Sequence, residues 1–268
     1  MKGAPLIAHV PFDSPPSTGD TSSERIALAI SKAGTLAIAG PSELRVYDLA
    51  TGNNRYTLPH MAGPVQFSTD GSLLMALRLP GSGESAGPTV VETATGALLE
   101  VLSTSDVAIP STIAAMDGPG GLLARRGLGG DQVTVWNIDG PLDFVTLDVA
   151  PWHGRRGLQS FLFSPGGEWL LTLGNNRALL WDTAQWKVRA ALDENSATIR
   201  QAAFTTDSRR LLTLGSAGVQ LWDCQSGSLL WTFAEPSGQP FIAASLDSTG
   251  QRLTAVSSDV WIWEATDR

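Results

Sequence analysis

The chain is poor in the residues from which chemical sites are usually built. Its 268 residues hold one cysteine, Cys224, and three histidines, His9, His60 and His153. An internal disulfide is therefore impossible, and a zinc site built on several thiolates is excluded as well. Lysine and arginine total 18 against 26 aspartates and glutamates, a formal net charge of −8. That shortage of cations argues against general binding to nucleic acid or an anionic membrane, which rests on neutralising phosphate. No apolar run approaches the ~20 residues of a membrane-spanning helix. The opening MKGAPLIAHVPFDSPP has an apolar run too short for the core of a secretory signal, so a cytoplasmic location is expected. Helix signals are weak too: no long stretch keeps a period of 3.6 residues, and turns arrive about every eight to twelve residues. There is no G-x-S-x-G, no H-E-x-x-H and no G-x-x-x-x-G-K-[ST]. The Gly-rich stretches 81–84 and 128–131 fall between two strand-like runs and read as hairpin loops, not phosphate cradles. Catalysis, a cofactor and a metal are none of them expected.

What the chain has in quantity is apolar residues, 43%, broken up by 28 glycines and 16 prolines. A sizeable core cut by many turns follows from that pairing. The stretch FSPGGEWLLTLGNNRALLWDTAQWKVRAAL, beginning at Phe163, recurs as FTTDSRRLLTLGSAGVQLWDCQSGSLLWTF, beginning at Phe204. Six turn signals of this kind follow a hydrophobe, at Ile30–Gly34, Phe67–Gly71, Met116–Gly120, Phe163–Gly167, Phe204–Ser208 and Leu246–Gly250. Each leads to a second signal: Tyr47-Asp48, Val91-Glu92, Trp136-Asn137, Trp181-Asp182, Trp222-Asp223 and Trp263-Glu264. The second member of these pairs steps by 44, 45, 45, 41 and 41 residues. Thr51-Gly52, Thr95-Gly96 and Ser226-Gly227 add a third turn. Each unit thus reads as four short strands joined by three turns. The acidic residues of the pairs are expected to cap the turns that follow them.

Four-stranded units of this length ending in Trp-Asp resemble the WD-repeat β-propellers. The resemblance covers about residues 25 to 268. It implies an all-β fold: a single six-bladed propeller with blades at about 25–60, 61–105, 110–150, 157–193, 197–235 and 239–268. Its last blade lacks room for an outer strand, and the run Pro5–Val10 is expected to supply it, unless a partner completes the ring. The family's Gly-His pair is missing from every unit, so its hydrogen-bonded tetrad, which ties that histidine to the Trp, is not expected. Apolar packing is expected to hold the blades instead, with Trp136, Trp181, Trp222 and Trp263 filling the space between them. Small residues on the first strands, such as Ala202 and Ala203, fit strands crowded near an axis. Trp186 and Trp231 are placed on outermost strands.

The resemblance also implies function, since most such proteins are non-catalytic scaffolds or adaptors for other proteins. A propeller enzyme or small-ligand binder using a central channel is the alternative. If the units are laid out as blades, Arg125 and Arg126 fall beside the connection that carries Trp152, His153, Arg155 and Arg156. Arginine and tryptophan are frequent in binding hot spots, and paired arginines suit carboxylates. These six residues are the expected partner-binding site, with an acidic segment of another protein as the partner. The alternative is that the arginines pair with the chain's own carboxylates and Trp152 packs on a loop.

Overall fold

A computed structural model describes residues 26–79, 87–101, 114–119, 121–127, 131–138, 143–153, 157–174, 177–192, 199–235, 238–247 and 250–264. The chain divides into two compact units, Met1–Met116 and Asp117–Arg268. In the first, β1 (Ala27–Ile30), β2 (Thr35–Ala39), β3 (Glu43–Asp48) and β4 (Asn54–Pro59) make one antiparallel sheet in chain order. The next sheet follows the same order with β5 (Met61–Phe67), β6 (Leu73–Arg78), β7 (Gly87–Glu92) and β8 (Leu98–Val101). The unit ends on β9 (Ala114–Met116).

The second unit opens with antiparallel β10 (Leu122–Arg126), β11 (Gln132–Asn137) and β12 (Asp143–Asp148), then the single helical turn α1 (Ala150–His153). Two four-stranded sheets come next. The first comprises β13 (Leu158–Phe163), β14 (Trp169–Gly174), β15 (Arg177–Asp182) and β16 (Lys187–Ala191). The second comprises β17 (Ile199–Phe204), β18 (Arg210–Gly215), β19 (Gly218–Asp223) and β20 (Leu229–Phe233). The unit closes with three strands, β21 (Ala243–Leu246), β22 (Arg252–Val256) and β23 (Val260–Glu264). The described strands therefore form six antiparallel sheets of three or four strands, an all-β arrangement consistent with a β-propeller-like fold. The run Pro5–Val10 lies outside the described residues.

One register recurs in all six sheets. A leucine of the second strand stands opposite the first member of each sequence pair: Leu36 and Tyr47, Leu74 and Val91, Leu123 and Trp136, Leu170 and Trp181, Leu211 and Trp222, Leu253 and Trp263. The next pairing outward slips at the same place in four sheets, at Val46/Tyr47, Val90/Val91, Leu180/Trp181 and Leu221/Trp222. Such a bulge turns the outer strand and frees the pair's second residue to cap the following turn.

Middle strands read as unbroken apolar runs because both their faces are covered. In β18, Leu211 packs with Trp169, Leu171 and Leu180 of the preceding sheet, while Leu212 and Leu214 pack with Phe241, Ala244 and Leu253 of the following one. In the first unit, Ala37, Ala39, Leu44 and Val46 meet Met61, Leu74, Ala76 and Val91 in the same way. Outer strands such as β16 alternate between exposed and half-buried positions, as a one-sided strand must. Two glutamines add a polar tie between first strands of successive sheets. The Gln66 amide donates to the Met116 carbonyl and accepts from the Met116 N–H at 3.1 Å. Gln201 does the same to Ala244, donating at 3.0 Å and accepting at 3.4 Å.

Candidate functional site

The acidic residues of the repeats are engaged in turns. Asp48 Oδ1 accepts from the Thr51 amide at 3.0 Å, Asp182 Oδ1 from the Ala184 and Gln185 amides at 2.9 and 3.0 Å, and Asp223 Oδ1 from the Ser226 amide at 2.7 Å. A second series caps the turns between first and second strands: Asp70 takes the Ser72 amide, Asp207 the Arg209 amide and Asp247 the Gln251 amide. Arg55 and the Thr51 amide hold the Asp48 carboxyl down to about 2; the Ser68 hydroxyl and the Ser72 amide do the same for Asp70. The sequence expectation that the pair carboxylates serve as turn caps is met at Asp48, Asp182 and Asp223. Among the described residues no group of three or more His, Cys, Asp and Glu is placed to hold a metal. No helix among them is long and apolar enough to cross a membrane.

The six residues expected to bind a partner separate into different roles. Asp148 Oδ1 caps α1 by accepting from the Ala150 amide at 3.0 Å, and the Trp152 and His153 amides both return to the Val149 carbonyl. That single turn leaves Trp152 38% exposed and buries His153 to 1%. His153 is therefore not a surface contact. Its Nδ1 lies 3.0 Å from the Gly174 carbonyl and its Nε2 3.1 Å from Thr172 Oγ1, which also accepts from the Trp181 indole at 3.1 Å. Burial pushes the imidazole below its usual range, with the charge of Arg177 acting in the same direction.

The lack of a Gly-His pair left the family's tetrad out of the expectation, but one histidine does reach a tryptophan of the pairs. The sequence order here is His-Gly rather than Gly-His, yet His153 is tied to Trp181 through Thr172. The fifth sheet keeps the inner half of that arrangement, with Trp222 donating to Thr213 at 2.9 Å.

Arg125 departs from expectation in a related way. It stands opposite Thr134 in β11, the register position that Thr172 and Thr213 hold in the next two sheets, and is likewise buried. Arg125 is thus a buried residue and not part of an exposed cation cluster. Arg126 remains half-buried and donates from Nη1 to the Leu158 carbonyl at 3.1 Å. Arg155 and Arg156 lie outside the described residues. Of the four described members, Trp152 is the exposed one.

Sequence reasoning passed over an apolar groove of ≈ 440 Å³ between the fifth and sixth sheets, lined by Leu212, Leu221, Phe233, Leu246, Leu253 and Trp263 with Trp231 beside them. Trp263 contacts Phe233 with ring centroids 5.2 Å apart and meets Phe241 edge-on at 5.9 Å. Trp231 is on an outermost strand, β20, as expected, and 61% exposed. Trp186 is not: it closes the turn before β16 with φ 53°, where the equivalent residues are Gly52, Gly96 and Gly227. The alternation of Leu-Leu-Trp-Thr-Phe could have signalled one face of the groove. Its other wall needs the stacking of two sheets, which sequence spacing does not encode.

No protein-family model and no curated protein matches the sequence. The class of protein rests on the sheets and turns described above.

Proposed function

We propose that this chain is a non-catalytic interaction scaffold, a single WD-repeat-like β-propeller of six blades that serves in the cytoplasm by presenting surface side chains to a partner protein. In this reading each sheet is a blade, and Pro5–Val10 adds the fourth strand to the last one along the edge of β23, closing the ring. The observation that carries the functional reading is the setting of Trp152. A large aromatic ring is held at the surface by a helical turn whose next residue is locked in the core, so little freedom is lost when the ring is covered. The partner surface is Trp152 with Arg126, Arg155 and Arg156, and the partner is an acidic segment.

The test is binding of a Glu/Asp-rich peptide, read by fluorescence anisotropy at low and moderate salt. Trp152→Ala and the charge reversals Arg155→Glu and Arg156→Glu are expected to weaken it at least about tenfold, a loss of ~1.4 kcal/mol. The thermal melt should not move. Unchanged binding by all three variants, or no binding by the native protein, rejects this surface.

A further inference from the structure

The bonds around His153 have a direction. Gly174's carbonyl can only accept, so the ring proton belongs on Nδ1. Nε2 is then an acceptor and the Thr172 hydroxyl donates to it, leaving the Thr172 oxygen to accept the Trp181 indole N–H. One chain results, running from Trp181 to Thr172 to His153 to the Gly174 carbonyl, and it works only with a neutral ring. A second proton would place an N–H on Nε2 against a hydroxyl that is itself donating. It would also set a cation in a site with 1% exposure. Arg177 on β15 acts on the ring and opposes that cation. Of the other charged groups on neighbouring elements, Asp148 at the end of β12 is committed to the Ala150 amide and Arg126 on β10 to the Leu158 carbonyl, while Arg125 is buried on β10. The fifth sheet is a control built into the same unit. Trp222 and Thr213 repeat the inner pair, but the connection ahead of that sheet, residues 192–198, contains no histidine.

We propose that His153 is a pH-sensitive latch: neutral, it pins α1 to the fourth sheet, and protonated, it lets α1 and Trp152 detach while the sheets stay folded. Burial lowers the affinity of the closed state for a proton, so the latch holds fully above the range of a free histidine, ~6.5, and loosens as the pH falls below it. In that window the open fraction grows about tenfold per pH unit. The device is independent of what Trp152 binds.

The experiment needs no partner, so its outcome is separate from the scaffold reading. Hydrogen exchange of the indole N–H groups of Trp181 and Trp222 is followed by NMR in the full chain from pH 7.5 to 5. The protection of Trp181 relative to Trp222 is expected to fall about tenfold per unit below ~6.5 and to level off where the His153 ring itself titrates, below the range of a free histidine. In His153→Phe the ratio should not depend on pH. A constant ratio in the native protein overturns the latch, as does parallel loss of protection at both indoles. Should His153→Phe fail to fold, the wild-type ring titration decides: a ring that titrates at or above ~6.5, or a ratio that does not level off where the ring titrates, has the same overturning force.

Discussion

The indole nitrogen of Trp222 donates to the Thr213 hydroxyl oxygen at 2.9 Å across two neighbouring strands, and both side chains are almost wholly buried. The ring fills the space between the fourth and fifth sheets beside Trp169, Leu171 and Cys224. Trp222→Ala is expected to cost ~3–5 kcal/mol, as large core truncations do. Thr213→Val keeps the shape but strands the indole N–H, at about 1–3 kcal/mol. Urea unfolding measures both. A valine variant as stable as the native protein would mean the bond contributes nothing.

Two glycines in turns separate backbone strain from crowding. Gly34 has φ 76°, and beyond its chain neighbours no heavy atom comes within 4 Å of where a Cβ would stand; at Gly227, φ 72°, a Cβ would sit 2.5 Å from that of Ala190. Gly34→Ala is expected to cost the left-handed backbone penalty, about 1–2 kcal/mol. Gly227→Ala should cost at least ~1 kcal/mol more, since the neighbouring strand must shift. Equal losses in chemical denaturation would show that the Ala190 contact yields freely.

The acid limb of the stability curve should report the turn caps. Asp48 and Asp70 are held near 2, below the 3.8 of a free carboxyl, so their contribution is complete above the free value and is lost as the pH falls toward 2. The double variant Asp48→Asn, Asp70→Asn is expected to flatten the loss between about pH 4 and 2, seen by far-UV circular dichroism during acid titration. An unaltered acid limb would place the loss elsewhere.

Cys224 should be silent in the native state. It is fully buried, and burial pushes its thiol up to about 12, whereas the reactive species is the thiolate. Reaction with a disulfide reagent at neutral pH is expected to follow global unfolding, orders of magnitude slower than for the urea-denatured chain. Rapid native labelling would contradict the packing around it.

Deleting residues 1–12 tests ring closure. If Pro5–Val10 pairs with β23 as proposed, its removal is expected to lower the melting temperature by several degrees and expose that edge to association, read by light scattering. A truncated chain that melts like the full one would separate that segment from the fold.

How much of this was legible in the chain differs by element. The Trp-Asp pairs marked the ends of third strands because a turn cap and a bulky interior residue must be adjacent there, as at Trp181-Asp182 and Trp222-Asp223. The long apolar runs marked strands covered on both faces. The role of His153 was not legible because its partners are far along the chain: Thr172 is 19 residues away. Arg125 carried a usable signal. Aligning LLARRG with LLTLG and counting from the leucine opposite each pair puts Arg125 in the column of Thr172 and Thr213, a buried one. The groove beside Trp263 depends on how two sheets stack, and no residue spacing announces it.

The glutamine ties have a consequence for accuracy. Strands that present similar leucines on both faces can slide past one another at small cost, and a slip by one residue inverts every side chain. Gln201 meets the N–H and C=O of Ala244 only when β17 is correctly aligned. A slip in that copy would leave two backbone groups of the following copy unmet, so each tie works as a proofreading device, passing a check on alignment from one copy to the next.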